Sequence, residues 1–143
     1  MNTTDIFEVD LQDVYNYRFS YGGQSSYFWG LEQGRLVGSK CTGCGFVWLP
    51  LRPLCSKCYA QADTLELGTT GEILSALVLT QAPDNLAHIG MPVASALIRV
   101  DGADTCIKSM VFSRDANFAK GTRVQAHFRS PVKTIADFHF VTL

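Results

Sequence analysis

The strongest chemical signal in the sequence comes from cysteines arranged as two Cys-x-x-Cys pairs ten residues apart: Cys41, Cys44, Cys55 and Cys58. Two such pairs can close a tetrahedral site around one ion, and four thiolates are a common ligand set of structural zinc. Gly45 directly follows the first pair. Because it has no Cβ, it can take a positive φ that turns backbone N–H groups toward sulfur. The spacing therefore predicts a structural zinc ribbon.

Three other uses of these thiols fit parts of the pattern. A rubredoxin-like iron centre uses the same four ligands, so the choice between zinc and iron stays open. A redox-active dithiol needs one Cys-x-x-Cys pair and leaves the second pair without a role. Disulfides fit poorly, because the cysteine count of five is odd and we expect no secretory signal at the start of the chain. We therefore predict that the four cysteines bind a metal ion whose role is structural.

The other groups that could act in catalysis are one cysteine and three histidines: Cys106, His88, His127 and His139. Covalent catalysis by cysteine needs a base beside the thiol. Cys106 is predicted to lie mid-strand as a small buried thiol, and His127 and His139 are predicted to be structural residues on strands. His88 falls in a loop and is the histidine best placed to face a ligand. We predict no catalytic residue in this chain.

Composition limits the classes of protein to consider. The chain has 143 residues, of which 47% are hydrophobic and 17% charged, which suits one folded domain with a metal-stapled appendage. The net charge of −1 gives no general attraction to nucleic acid or acidic lipid. No apolar run approaches the ~20 residues that a transmembrane helix needs. The lack of such a run, together with cysteines that are expected to be reduced, predicts a cytoplasmic protein without a membrane partner.

The N-terminal part is unusually aromatic, since eight of the sixteen aromatic residues lie in the first 29 positions. Over 15–21 they alternate with other residues, which predicts a strand or an extended arm. Tyr and Trp are enriched at protein interfaces, whereas the neighbouring acidic residues would repel the phosphates of a nucleic acid. Two interpretations stay open: a strand on its own core, or a partner-binding surface formed by Tyr15, Tyr17, Phe19, Tyr21, Tyr27, Phe28 and Trp29.

Secondary-structure elements can be assigned around these residues. Ser25 or Ser26 is expected to cap a short helix that reaches about residue 33. Short strands over 35–38 and 46–50 flank the first cysteine pair. Trp48, in the second of them, is expected to cover the metal site or to seat the ribbon on the next domain.

From residue 71 the pattern changes to all-β. Strands are predicted over 71–80, 92–100, 105–112, 122–128 and 138–142, with a turn at Asp101-Gly102 and a helical turn over 113–119. This is the pattern of an OB-type Greek-key barrel, and the 81–91 connection would be a flexible, ligand-accessible loop at its mouth. The predicted fold is mainly β, with an N-terminal helix and a four-Cys zinc ribbon before a five-stranded OB-fold barrel. The predicted domains are an aromatic arm (1–24), helix plus ribbon (25–66) and OB fold (67–143).

Several segments resemble one known family. The run YFWGLEQGRLVGSKCTGCG leads into the Cys-x2-Cys-x10-Cys-x2-Cys pattern, and TTGEILS, MPVASALIRVDG and KGTRVQAHF fall where the family has barrel strands. Together they are similar to the rubredoxin-type zinc-ribbon/OB-fold proteins associated with acyl-CoA metabolism. The resemblance covers about residues 25–143, and the aromatic arm before it is longer than the usual start of the family.

The resemblance implies an accessory subunit in a hetero-oligomer. Family members bind thiolase-like proteins (acyltransferases, thiolases, steroid side-chain aldolases) that contain the catalytic machinery. One such function is benzoylsuccinyl-CoA cleavage in anaerobic toluene degradation, where a member is the small subunit of the thiolase. A CoA thioester is then a candidate ligand, and the residues predicted to contact it are His88, Arg123 and Arg129. The alternative for the two arginines is a solvated rim of the barrel.

Two rival functions stay open. A zinc ribbon and an OB barrel both occur in single-stranded nucleic-acid binders, although the near-neutral charge and the acidic aromatic end disfavour that use. A free-standing acyl-CoA-binding protein would need no partner. The acyl group, the stoichiometry of a complex and the choice of zinc or iron are not determined by the sequence.

Overall fold

The computed structural model of the chain describes residues 6–18, 20–130, 132 and 137–143. Residues 6–18 form neither helix nor strand and are exposed, so of the two interpretations of this segment the extended arm fits. A 3-10 turn, Gly22–Gln24, leads into α1, Ser25–Glu32. The predicted serine cap is wrong: Gln24 precedes the helix without a side-chain cap, and the Ser25 hydroxyl donates to the Gly22 carbonyl at 2.7 Å. Within the described residues no helix is long and apolar enough to cross a bilayer.

The ribbon is a three-stranded antiparallel sheet. Its strands are β1 (Leu36–Cys41), β2 (Val47–Trp48) and β3 (Ala62–Leu67), in the order β2-β1-β3. β3 was not predicted, and it pairs with β1 along its whole length. β1 and β2 approach very closely at Gly38, where a Cβ would lie 2.4 Å from the Trp48 carbonyl oxygen.

The second part of the chain is a closed barrel of five strands. These are β4 (Thr70–Leu79), β5 (Val93–Val100), β6 (Ile107–Phe112), β7 (Arg123–Phe128) and β8 (Phe138–Thr142), in the order β4-β5-β6-β8-β7. Neighbours are antiparallel except for the parallel pair β6 and β8. Alternate residues of β5, β7 and β8 are buried inside, as the period of two requires. The predicted mainly-β fold, with helix, ribbon and five-stranded barrel, is confirmed.

Two connections differ from the prediction. The predicted helical turn over 113–119 is wrong, because side chains hydrogen-bond the backbone locally instead. The buried Ser113 hydroxyl donates to Asp115 Oδ1 at 2.7 Å and accepts from the Asn117 N–H at 3.0 Å. The 81–91 connection contains a short 3-10 helix, Asp84–Ile89, which is anchored by the buried side chain of Ile89.

Ribbon and barrel are joined by hydrogen bonds and by one hydrophobic core. Asp104 accepts from the Val47 N–H at 2.8 Å, and its own N–H donates to the Val47 carbonyl at 3.0 Å. The Thr105 hydroxyl accepts from the Leu49 N–H and donates to its carbonyl, at 2.8 and 2.7 Å. The turn between β5 and β6 is therefore fixed against the strand that carries Trp48. The shared core includes Leu31, Leu36, Leu49, Leu67, Ile73, Ile98, Val111 and Phe140.

Candidate metal centre and predicted binding residues

The four predicted cysteines converge on one site. Their sulfur atoms all lie within 4.8 Å of one another. The Sγ atoms of Cys41 and Cys58 are 3.3 Å apart, and those of Cys44 and Cys55 are 3.7 Å apart. A tetrahedral ion with metal–sulfur bonds of about 2.3 Å separates its ligands by about 3.8 Å. The donor set and its spacing therefore fit a four-thiolate metal ion of the zinc-ribbon type.

Each cysteine pair lies in a turn of the same form. The Gly45 N–H donates to the Cys41 carbonyl at 3.1 Å, and the Tyr59 N–H donates to the Cys55 carbonyl at 3.0 Å. Gly45 has a φ of 75°, which confirms its predicted conformation. The sequence suggested this turn on one side only, yet Tyr59 takes a φ of 60°. A side chain in this region is uncommon, so the second turn could not be recognised from residue type.

Backbone N–H groups point at the sulfur atoms, as predicted. Those of Gly43 and Cys44 lie 3.4 Å from Cys41 Sγ, and that of Lys57 lies 3.4 Å from Cys55 Sγ. The Cys44 N–H is the main cause of the lowered pKa of Cys41. Burial opposes ionisation of Cys55, but the N–H groups of Lys57 and Cys58 and the Trp48 indole lower its pKa to about 6. The site therefore favours the thiolates of Cys41 and Cys55, which a metal requires. The Phe46 N–H also favours the thiolate of Cys44, but burial and the three neighbouring sulfur atoms raise the pKa of Cys44 to about 11.

Aromatic and basic side chains surround the cysteines. The rings of Phe46 and Trp48 lie 4.6 Å apart; Arg52 lies 5.0 Å from the Trp48 centroid and Lys57 lies 4.3 Å from that of Phe46. The indole Nε1 of Trp48 is buried without a hydrogen-bond partner among the described residues. A buried donor needs an acceptor, and a metal-bound thiolate at Cys55 would supply one. The surroundings thus fit the net negative charge of a metal with four thiolates, and Trp48 lies where it can shield the site.

The predicted partner-binding aromatics divide into exposed and packed residues. Tyr15 and Tyr17 are 69% and 79% exposed, with ring centroids 6.0 Å apart, and Trp29 is 61% exposed. Tyr21 stacks on Phe28 with a centroid distance of 3.7 Å. Phe19 lies outside the described residues.

Tyr27 is the exception among them. It is 4% exposed and belongs to the core, so its prediction as a partner-contacting residue is wrong. Three consecutive aromatics on one short helix cannot all face outward, and α1 turns the first of them inward and the last outward.

The prediction for Cys106 is also wrong. It lies one residue before β6 and is exposed, whereas the strand begins at the buried Ile107. The thiol borders a cleft of about 450 Å³ between α1, the ribbon and the barrel. No local pattern could have predicted this cleft, because its walls come from four separate stretches: 21–28, 50–52, 106–108 and 138.

The histidines lie on the outer face of the barrel. His127 and His139 are paired across β7 and β8, with ring centroids 5.2 Å apart. Burial of the His139 ring, with the charges of His127 and His88, lowers the pKa of His139 to about 4. His88 is exposed on the 3-10 helix.

We expect this histidine to make folding stability fall with decreasing pH. The unfolded chain binds a proton at His139 near the ordinary pKa of 6.5, but the folded chain binds it only near a pKa of about 4. The unfolded state therefore holds more protons between these values, and stability is lost as the pH falls through them.

The measurement is the urea midpoint at about pH 7 and about pH 5, in the wild type and in His139→Gln. Metal loss in acid lowers the urea midpoint of both proteins. A smaller fall of the midpoint in the variant therefore gives the contribution of His139 alone. Equal falls in the two proteins would contradict the prediction.

The two arginines predicted to hold CoA phosphates are not brought together. Arg123 begins β7 and makes a two-pronged ion pair with Asp101, whose other partner is the Thr70 hydroxyl at 2.6 Å. These hydrogen bonds, from Arg123 first, lower the pKa of Asp101 to about 2. Arg129 follows the other end of β7 and is exposed. Six steps along the extended chain place their Cα atoms about 20 Å apart, so one phosphate group is not positioned between both.

Comparison with known proteins supports the ribbon and the fold. Residues 28–64 match the family described as ChsH2, rubredoxin-like zinc ribbon domain. The segment contains a ChsH2-like zinc ribbon. It includes all four cysteines of the metal site. Curated proteins give no match.

Two solved structures share the fold of most of the chain. One is a protein of unknown function from the DUF35 family of Sulfolobus solfataricus, with a TM-score of 0.64 and 21% identity over 85% of this chain and 87% of that one. The other is the Ltp2–ChsH2(DUF35) aldolase, with a TM-score of 0.64 and 22% identity over 88% of this chain and 97% of that one. The resemblance to proteins that join a ChsH2-like ribbon to an OB-like barrel is confirmed.

Proposed function

We propose that this chain is a non-catalytic, zinc-binding accessory subunit of a thiolase-type acyl-CoA enzyme. It docks a thiolase-like catalytic subunit and helps to form the site for a CoA thioester. The observation that carries the proposal is the fold shared over 88% of the chain with the Ltp2–ChsH2(DUF35) aldolase, which joins a DUF35 protein to an aldolase component. The partner in this case would catalyse C–C cleavage or acyl transfer in the cytoplasm.

The exposed aromatics support a docking role. Tyr15, Tyr17 and Trp29 each leave more than half of their surface in solvent in the isolated chain. Large aromatic side chains are costly to expose and are frequent anchors of protein interfaces. Acidic residues interleave with the aromatics of this arm, so it suits a protein surface better than a nucleic acid.

Catalysis is assigned to the partner because four thiols of this chain converge on the metal site, and the cleft beside the fifth has no histidine or second cysteine among its described lining residues to act as a base. Four cysteines form the metal site, and Cys106 lies at the rim of a cleft. Zinc is proposed as the resident ion because the match is to a zinc ribbon. When bound, it would hold the two cysteine turns together and supply no reacting group, since all four positions of a tetrahedral ion are filled by thiolates.

The acyl-CoA contacts form a narrower proposal. His88 and Arg129 are exposed, while Arg123 would have to share its guanidinium with Asp101. Benzoylsuccinyl-CoA cleavage in anaerobic toluene degradation is the pathway that we propose for the complex. Its test is turnover of benzoylsuccinyl-CoA by the purified complex.

We expect the tagged chain to capture a thiolase-like protein in stoichiometric amount from its native source, identified by mass spectrometry. The double variant Tyr15→Ser/Tyr17→Ser should capture at least about tenfold less, because tyrosine is enriched among the interface residues whose truncation costs more than about 1 kcal/mol.

Tyr59→Asn is the matched control for the capture experiment. Tyr59 is 82% exposed but belongs to the ribbon, and asparagine tolerates its positive φ. Capture should be unchanged in this variant. Salt-sensitive recovery of nucleic acid in place of a thiolase-like protein would overturn the proposal, and so would C–C cleavage or acyl transfer by the isolated chain.

A further inference from the structure

The cleft between α1, the ribbon and the barrel has the size and lining of a small-molecule site. Its volume is about 450 Å³, within the range typical of ligand pockets. Phe28 and Phe138 form aromatic walls, and Pro50 and Ile107 add apolar surface. A flat apolar body would be well accommodated between such walls.

A tyrosine hydroxyl at the cleft has no hydrogen-bond partner among the described residues. Tyr27 is 4% exposed, its ring packs in the core and its side chain borders the cleft. Its hydroxyl forms no hydrogen bond within the described part of the chain, and its oxygen is not one of the side-chain atoms closed off from solvent. Burial raises the pKa of Tyr27 to about 12, so the hydroxyl keeps its proton at neutral pH and can donate. A solvent-accessible hydroxyl at the wall of a cleft can donate to an acceptor on a ligand that enters the cleft.

Two cations border the same cleft. Arg52 donates through one nitrogen to the Ser56 hydroxyl at 2.9 Å, which leaves further N–H groups free. Lys108 lies at the start of β6, one residue beyond Ile107. In the described part of the chain neither cation is paired with a carboxylate. An anionic group on a ligand would therefore meet two positive charges that have no carboxylate partner among the described residues, one of which, Arg52, also lies over the Trp48 ring.

We infer that this cleft binds an aromatic carboxylate. The aromatic body lies between Phe28 and Phe138, and the carboxylate accepts hydrogen bonds from Tyr27 and from Arg52 or Lys108. A carboxylate is favoured because it can accept from the hydroxyl and the cations at once. The site belongs to the single chain, so it does not depend on the proposed catalytic partner.

The exposed thiol of Cys106 provides a built-in reporter for the test. The full-length, zinc-loaded chain is treated with N-ethylmaleimide, and modification of Cys106 is followed by peptide mass spectrometry. Saturating 4-phenylbutyrate should slow this reaction at least about fivefold, because the ligand would cover the thiol. The neutral 4-phenylbutanol has the same shape without the charge and should bind at least about fivefold more weakly.

Variants connect the protection to the proposed contacts. Tyr27→Phe retains the core ring and removes only the hydroxyl, and it should raise the half-protecting concentration about fivefold or more. Lys108→Gln should act in the same direction. Lys120→Gln removes the same charge from the exposed loop between β6 and β7, away from the cleft, and should leave protection unchanged. Protection is compared with and without ligand within each variant, so changes in thiol reactivity cancel.

Three results would overturn the inference. The first is an unchanged labelling rate at about 10 mM carboxylate, which corresponds to no useful affinity. The second is equal protection by the acid and the alcohol. The third is a loss of protection in Lys120→Gln as large as that in Lys108→Gln, which would indicate general charge attraction and no built site.

Discussion

Replacing Cys55 by serine is expected to release the metal and to unfold the ribbon while the barrel strands remain protected. Cys55 is fully buried, and a serine hydroxyl is a much weaker ligand than a thiolate. Structural zinc in small ribbons contributes an apparent ~10–16 kcal/mol to folding. The sheet of β1, β2 and β3 is too small to replace that contribution with its own core.

Two measurements check this result. Metal content by mass spectrometry should fall from one ion per chain to well below that value. Hydrogen exchange should become fast in β1 and β3 and stay slow in β4 and β5. Cys106→Ser is the control, because Cys106 lies outside the metal site and its loss should change neither quantity. A Cys55→Ser protein with a full complement of metal and an ordered ribbon would show that this thiol is not a ligand.

Phe140→Ala is expected to be the most damaging single change in the barrel. Phe140 is fully buried at the centre of β8, pairs with Val111 of β6 and packs edge-on against Phe138 at 6.1 Å. Truncating a buried phenylalanine costs about 3–5 kcal/mol through lost burial and the cavity that remains. Domains of this kind have about 5–15 kcal/mol of stability in total, so most of the margin would be lost.

Urea unfolding followed by circular dichroism measures this loss. The matched control is Phe7→Ala, since Phe7 is 93% exposed on the arm and its truncation should change stability by less than about 0.5 kcal/mol. Similar midpoints for the two variants would mean that Phe140 does not fill the barrel. Unlike Cys55→Ser, Phe140→Ala should leave the bound metal in place wherever the protein is folded.

Features determined by local spacing could be predicted from the sequence. The metal site was predicted because two Cys-x-x-Cys turns bring their own thiols together with little help from the rest of the fold. β8 was predicted with the bounds that it has, Phe138–Thr142, since its alternating pattern reflects one buried face. The turn at Gly102 was predicted for a similar reason, because its φ of 86° is open mainly to glycine.

Features that depend on distant contacts could not be predicted. β3 owes its strand conformation to pairing with β1 and has one buried residue, Leu67, so its own sequence carries a weak signal. Cys106 was expected inside a strand, but the pairing of β5 with β6 extends only to Ile107. The cleft is assembled from separate stretches, and the sequence gives no sign that Tyr27 and Lys108 would border the same space.

The close approach of β1 and β2 restricts how this protein can change in evolution. A methyl group at residue 38 would overlap the Trp48 carbonyl oxygen, which belongs to the backbone and cannot turn away as a side chain could. Any replacement of Gly38 would then separate the strand that carries Trp48 from the strand that ends at Cys41. Descendant sequences that keep this ribbon geometry should therefore retain glycine at the position even where the surrounding residues have diverged beyond recognition.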